Sequence, residues 1–202
     1  EVQLEAADYA SKGYPFSLAI RVAYRLETQG LTCSFAVRNV GCEVAPVGVG
    51  FHPYFTVGTA LIDEAEALIP ASGYLEFNDR LAPTGKILDV QDTEWDFRKC
   101  RRIGTRRFNH CYVGLERDAD GMATATLQHP GNGRKIDVLM DHSFSALVVY
   151  TGDAIVDAPR RALAIEPMTC ATDAFNHPEW GLKRVLPDEL FTGRYLISHR
   201  PM

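Results

Sequence analysis

The stretch Leu18-Ala19-Ile20-Arg21-Val22-Ala23-Tyr24-Arg25-Leu26, followed by Glu27-Thr28-Gln29-Gly30 and then Leu31-Thr32-Cys33-Ser34-Phe35-Ala36-Val37-Arg38, decides the fold class. Large apolar residues occupy every second position of both runs, with small or charged residues between them. A period of two is the signature of a strand with one face buried. Two such runs around a short, polar, Gly-containing connection predict an antiparallel hairpin.

Further strand candidates lie on either side of Asn78–Asn109. They are Val47 to Phe51, Glu66 to Pro70, Gly73 to Phe77, Cys111 to Glu116, Ala123 to His129, Lys135 to Met140, Ala146 to Thr151, Ala162 to Glu166 and Arg194 to Ser198. Turn chemistry separates them, as in Asp118-Ala119-Asp120-Gly121 and Pro130-Gly131-Asn132-Gly133. No segment holds a helical apolar repeat over three turns. The expectation is an all-β, large antiparallel sandwich or barrel in a single domain over residues 1–202. Asn78 to Asn109 reads as one long connection with a turn at Pro83-Thr84-Gly85.

The chain has 202 residues, 46% of them hydrophobic, with a formal charge of -5 and an isoelectric point near 5.7. That supplies a substantial core and no electrostatic attraction to nucleic acid or to an anionic membrane. No apolar stretch approaches the roughly 20 residues that span a bilayer. The first residues lack a signal peptide's basic start and apolar run, and lack an initiating Met, as a piece cut from a longer chain would. The five cysteines (Cys33, Cys42, Cys100, Cys111, Cys170) form no CxxC pair and suit reduced thiols in a cytoplasmic protein. His110, His129, His142, His177 and His199 have no HxH or HxxxH spacing, so no metal site is expected. Gly48-Val49-Gly50 precedes no helical pattern and is not a nucleotide loop; Gly50 is read as a close-approach glycine.

Two segments carry the candidate chemistry: Gly50-Phe51-His52-Pro53-Tyr54-Phe55 and Ala164-Ile165-Glu166-Pro167-Met168-Thr169. Imidazole and carboxylate are the usual proton-transfer groups near neutral pH. Each is followed by a proline, which biases it toward extended backbone at a strand end. The expectation is that they face each other across a gap the width of a pyranose. Tyr54, Phe55 and Tyr150 could serve as a stacking platform or as core. Six basic residues between Arg98 and Arg107 read as a solvated loop or, alternatively, as a phosphate-binding patch.

In these motifs the chain resembles the aldose 1-epimerases, or mutarotases. The similarity rests on Gly13-Tyr14-Pro15-Phe16, on Phe51-His52-Pro53-Tyr54-Phe55, and on Leu81-Ala82-Pro83-Thr84-Gly85 with Asp96-Phe97-Arg98. It continues through Thr151-Gly152-Asp153, Ala164-Ile165-Glu166-Pro167-Met168-Thr169 and Asp173-Ala174-Phe175-Asn176, in order along nearly the whole chain. It implies the galactose mutarotase-like β-sandwich and interconversion of the α and β anomers of a free aldose, without cofactor. Carried over by motif, Glu166 is the general base, His52 the general acid and Asn109 a substrate contact, where the family usually has aspartate. The family's additional N-terminal strands, with an arginine and another histidine of the sugar pocket, have no counterpart here. The implied sandwich is therefore N-terminally truncated. That departure leaves two alternatives, a non-catalytic sugar-binding module or a chain whose edge strands pair with a partner or with a second copy as a homodimer, and the basic cluster leaves a third, an epimerase of a hexose phosphate.

Overall fold

The computed structural model describes residues 2–5 and 13–201, and among them strand is the dominant element. The strands are β1 (Val2–Glu5), β2 (Leu18–Glu27), β3 (Gly30–Asn39), β4 (Ala45–Val47), β5 (Tyr54–Phe55), β6 (Glu66–Leu68), β7 (Ala71–Phe77) and β8 (Pro83–Asp89). They continue as β9 (Arg101–Arg102), β10 (Asn109–Leu115), β11 (Ala123–Gln128), β12 (Arg134–Met140), β13 (Ala146–Tyr150), β14 (Leu163–Met168), β15 (Lys183–Val185) and β16 (Leu190–Pro201). Eight form one sheet in the order β1-β2-β3-β16-β12-β11-β6-β9, and six form another in the order β5-β14-β13-β10-β7-β8. β15 and β4 make a separate two-stranded ribbon. All pairings are antiparallel, so the chain is the large antiparallel sandwich its alternation predicts.

The hairpin is where the sequence puts it: β2 and β3 pair from Leu18↔Asn39 to Glu27↔Gly30. Cys33, Phe35 and Val37 turn inward from β3 and are buried. They meet the inner face of the six-stranded sheet, where Tyr112, Leu147, Val149, Leu163 and Ile165 are buried too. Phe51 spans the two layers, its ring 5.0 Å from that of Tyr195 on β16 and 6.4 Å from that of Phe35. Burying each such side chain stabilises the fold by about 1.5–3 kcal/mol, which makes this shared layer the main cohesive element.

Two expectations need correction. Asn78–Asn109 is not one irregular connection, because β8 pairs with β7 and β9 pairs with β6. β8 is a mostly exposed edge strand containing Pro83 and Gly85, so it lacks the one-sided burial that makes a strand visible in sequence. Val47 to Phe51 is not a continuous strand either: Ala45–Val47 pairs with β15, and Gly50 then makes a single bridge to Met168. All five cysteines are free.

Candidate active site

β14 is the spine of the site, and residues 49–55 run antiparallel along its outer edge. Gly50 lies opposite Met168, Tyr54 opposite Ala164 and Phe55 opposite Leu163. The same register sets His52 opposite Glu166. Phe51 donates its N–H to the Pro167 carbonyl at 3.1 Å, and Ile165 donates to the Pro53 carbonyl at 3.3 Å. The pairs on either side are therefore the hydrogen-bonded ones, and His52/Glu166 is the non-hydrogen-bonded pair between them. In antiparallel sheets such pairs bring their side chains closest together.

The prolines fit this ladder. A residue's N–H and C=O point to the same side of a strand, so the donors missing at Pro53 and Pro167 both fall between these two chains. The β13 side of β14 keeps its register from Ala146↔Met168 to Tyr150↔Ala164. Gly50 lets the chain come this near: a Cβ there would sit 2.5 Å from the Met168 sulfur, the close approach read from the sequence.

His52 Nε2 lies 3.2 Å from Glu166 Oε1. The expected pyranose-wide gap between them does not exist; register makes them immediate neighbours. Their surroundings differ sharply: the His52 side chain is 55% exposed and that of Glu166 only 10%. Burial pushes the Glu166 carboxyl above its ordinary range, against an opposing pull from His52. The Tyr54 ring stacks on the imidazole, centroids 5.0 Å apart.

Alternation places the rest. Asn109, Tyr150, Ala164 and Tyr54 form one cross-strand row on the outer face of the six-stranded sheet. Cys111, Val148, Glu166 and His52 form the next. A cleft of about 530 Å³ opens over the two rows, lined by His52, Glu166, Asn109, Tyr150, Val148, Leu81, Phe108, Ala154, Arg107 and Asp153. All three residues named from the sequence thus line one cleft. Tyr150 lines it too, whereas Phe55 belongs to the core. His110, one residue from Asn109, packs on Trp95 with ring centroids 4.0 Å apart; burial lowers its pKa to about 4.

Asp153 was assigned no role from the sequence, and Arg107 was read only as part of the basic cluster. Arg107 is the last member of the basic cluster, and the structure parts it from Arg98, Lys99 and Arg101, which line a separate hollow. Arg98 pairs with Asp96 at 2.7 Å, Arg101 lies over the Phe97 ring, and Arg102 and Arg106 donate to backbone carbonyls. Of the six, Arg107 alone lines the cleft. Asp153 stands in the Thr151-Gly152-Asp153 stretch, where Gly152 adopts φ +70°. A hollow of about 580 Å³ lies elsewhere along the outer face, near Ser72, Val113, Ser145 and Trp180; Asp89 and Glu179 line it, but no histidine does. Among the described residues no three His, Cys, Asp or Glu side chains gather where they could hold a metal ion. No helix among them is long and apolar enough to cross a membrane.

The sequence model of the aldose 1-epimerase family matches residues 1–198. The chain belongs to that family. It is 31% identical over 167 residues to YihR, an uncharacterised protein of Escherichia coli K12, covering 82% of this chain and 51% of that protein. To the galactose mutarotase of Sus scrofa it is 30% identical over 152 residues, covering 70% of this chain and 43% of that one. The chain spans about half the length of the curated relatives it matches. In three dimensions it resembles a GalM/aldose epimerase homologue from C. elegans, with a TM-score of 0.84 at 17% identity, covering 100% of this chain and 64% of the other. A galactose mutarotase-like protein from Clostridium acetobutylicum gives 0.80 at 18% identity, covering 100% and 61%. At such identities these two likenesses speak for the aldose epimerase fold alone.

Proposed function

We propose that this chain carries the proton-transfer pair of an aldose 1-epimerase, interconverting the anomers of a free aldohexose with Glu166 as general base and His52 as general acid. The observation that carries this reading is the 3.2 Å contact between His52 and Glu166 on the floor of the cleft. Ring opening removes the proton from the anomeric hydroxyl and delivers one to the ring oxygen. Both oxygens are bonded to the same carbon, so two neighbouring proton-transfer groups on one surface can serve both. A pair in direct contact fits that demand better than one split by the width of a sugar.

The sugar lies over the pair, its anomeric carbon above the contact. The Glu166 carboxylate accepts the hydroxyl proton while the His52 imidazolium protonates the ring oxygen, and the bond between the anomeric carbon and the ring oxygen breaks. Rotation about the adjoining carbon–carbon bond turns the other face of the aldehyde toward the ring hydroxyl. Closure returns both protons, so the pair ends as it began. Each positioned proton-transfer group contributes about 10²–10⁴-fold. Burial raises the Glu166 pKa and so strengthens its carboxylate as a base.

The test is exchange of freshly dissolved α-glucose and α-galactose followed by NMR. Exchange above buffer that disappears in Glu166→Gln supports the assignment. Sugar binding without exchange, unchanged in Glu166→Gln, would instead make the chain a binding module.

A further inference from the structure

The cleft floor supplies an acid and a base, but neither distinguishes one aldose from another. Asn109 contributes one acceptor oxygen and no charge. The opposite wall is built differently, and resting on the acid–base assignment above, we propose that Arg107 and Asp153 form a donor–acceptor pair that binds two adjacent sugar hydroxyls and sets which aldose the site accepts.

Four observations carry this. First, the Asp153 carboxylate is held in place: Arg160 Nη1 donates to Oδ1 at 2.9 Å, and the Thr151 hydroxyl bonds Oδ2. Arg160 is itself fixed by Asp63 at 2.8 Å and by the carbonyls of Arg106 and Gly104 at 3.1 and 2.9 Å. A carboxylate so anchored costs little further ordering when a ligand arrives. Second, it keeps acceptor capacity. An ionised carboxyl has about four acceptor positions. Arg160, Thr151 and the more distant Arg107 Nε at 3.5 Å take three.

Third, Arg107 has donors to spare. Its side chain is 83% exposed, and beyond the Asp153 contact its guanidinium has no partner among the described residues. Tyr150 adds a further donor, because its oxygen accepts the Ala154 N–H at 2.8 Å and its own hydrogen is left to point elsewhere. Fourth, the formal charges on this wall cancel: Asp63 and Asp153 against Arg107 and Arg160. A neutral wall with a fixed acceptor beside a free donor matches a vicinal diol and offers no surplus charge to a phosphate.

The experiment measures KM and kcat for anomer exchange of glucose, galactose and their monodeoxy analogues in the wild type, Asp153→Asn and Arg107→Gln. Asn keeps the shape of Asp153, and Arg107 is too exposed to be needed for folding. The expected result is a KM raised by about 10- to 100-fold for the preferred hexose, the loss associated with a charged hydrogen bond, with kcat nearly retained. For analogues lacking one of the two recognised hydroxyls, variant and wild type should converge. A penalty equal for every analogue would show Asp153 to be only a brace for Arg160 and overturn the proposal. So would an unchanged KM in Arg107→Gln, or a preference for a hexose phosphate that Arg107→Gln abolishes. If the wild type shows no exchange, the acid–base assignment fails by itself. Hexose binding read by saturation-transfer NMR then tests the pair: weakening in both variants supports it, and unchanged binding rejects it.

Discussion

The two sides of the cleft are made by different physics. The floor is sheet: His52 and Glu166 meet because the register of residues 49–55 on β14 leaves no other arrangement. The loop wall is electrostatic: Arg160 gathers Asp63, Asp153 and two backbone carbonyls around one guanidinium. A floor made by register should tolerate changes to its reactive groups while keeping its shape. A wall made by one cation should not survive losing it. Chemistry and architecture are therefore separable on the floor, whereas the shape of the wall depends on Arg160.

That contrast is sharpest in Glu166→Gln. The substitution is isosteric at a buried position, so the fold should persist while kcat falls by about 10²–10⁴-fold, checked by circular dichroism beside NMR exchange. Next in size is Arg160→Met. It leaves two partly exposed carboxylates without their shared cation, and a chemical denaturation series should show a loss of about 1.5–3 kcal/mol. Intact stability in that variant would break the distinction between floor and wall.

Gly152→Ala addresses the wall more gently. Its backbone lies at φ +70°, and a Cβ would stand 3.2 Å from the Ile155 side chain. The strain amounts to about 1–2 kcal/mol, and the resulting shift of Asp153 should raise KM more than it lowers kcat. The smallest effect concerns pH. Burial raises the Glu166 pKa, so the folded state binds that proton more tightly than the unfolded chain does. This contribution favours folding below the unfolded carboxylate range and is lost as pH rises through the elevated folded value. Glu166→Gln should therefore flatten the fall in thermal midpoint over that window. Under the acid–base assignment, wild-type exchange should show an acidic limb above the pH where an ordinary carboxylate titrates.

How much of this could be read from the chain follows the same division. The hairpin β2–β3 is legible because one face of each strand is apolar over many residues, and the strand that carries Glu166 is legible from the apolar run Leu163-Ala164-Ile165. β8 is not, because an exposed edge strand has no buried side to mark it. The direct contact between His52 and Glu166 was also hidden: it depends on which pairs carry backbone hydrogen bonds, and composition says nothing about that. Arg107 and Asp153 escaped for a third reason. They are brought together by Arg160, a residue in no motif, whose partners come from three separate loops.

The central claim is that His52 and Glu166 work as one unit on the cleft floor. The most direct measurement compares anomer exchange in His52→Ala, Glu166→Gln and the double variant. If the two groups transfer protons in concert, either single change removes nearly all of the acceleration and the double variant is barely slower than the worse single. Single variants that retain wild-type rates, or losses that multiply as though the residues were independent, would contradict it.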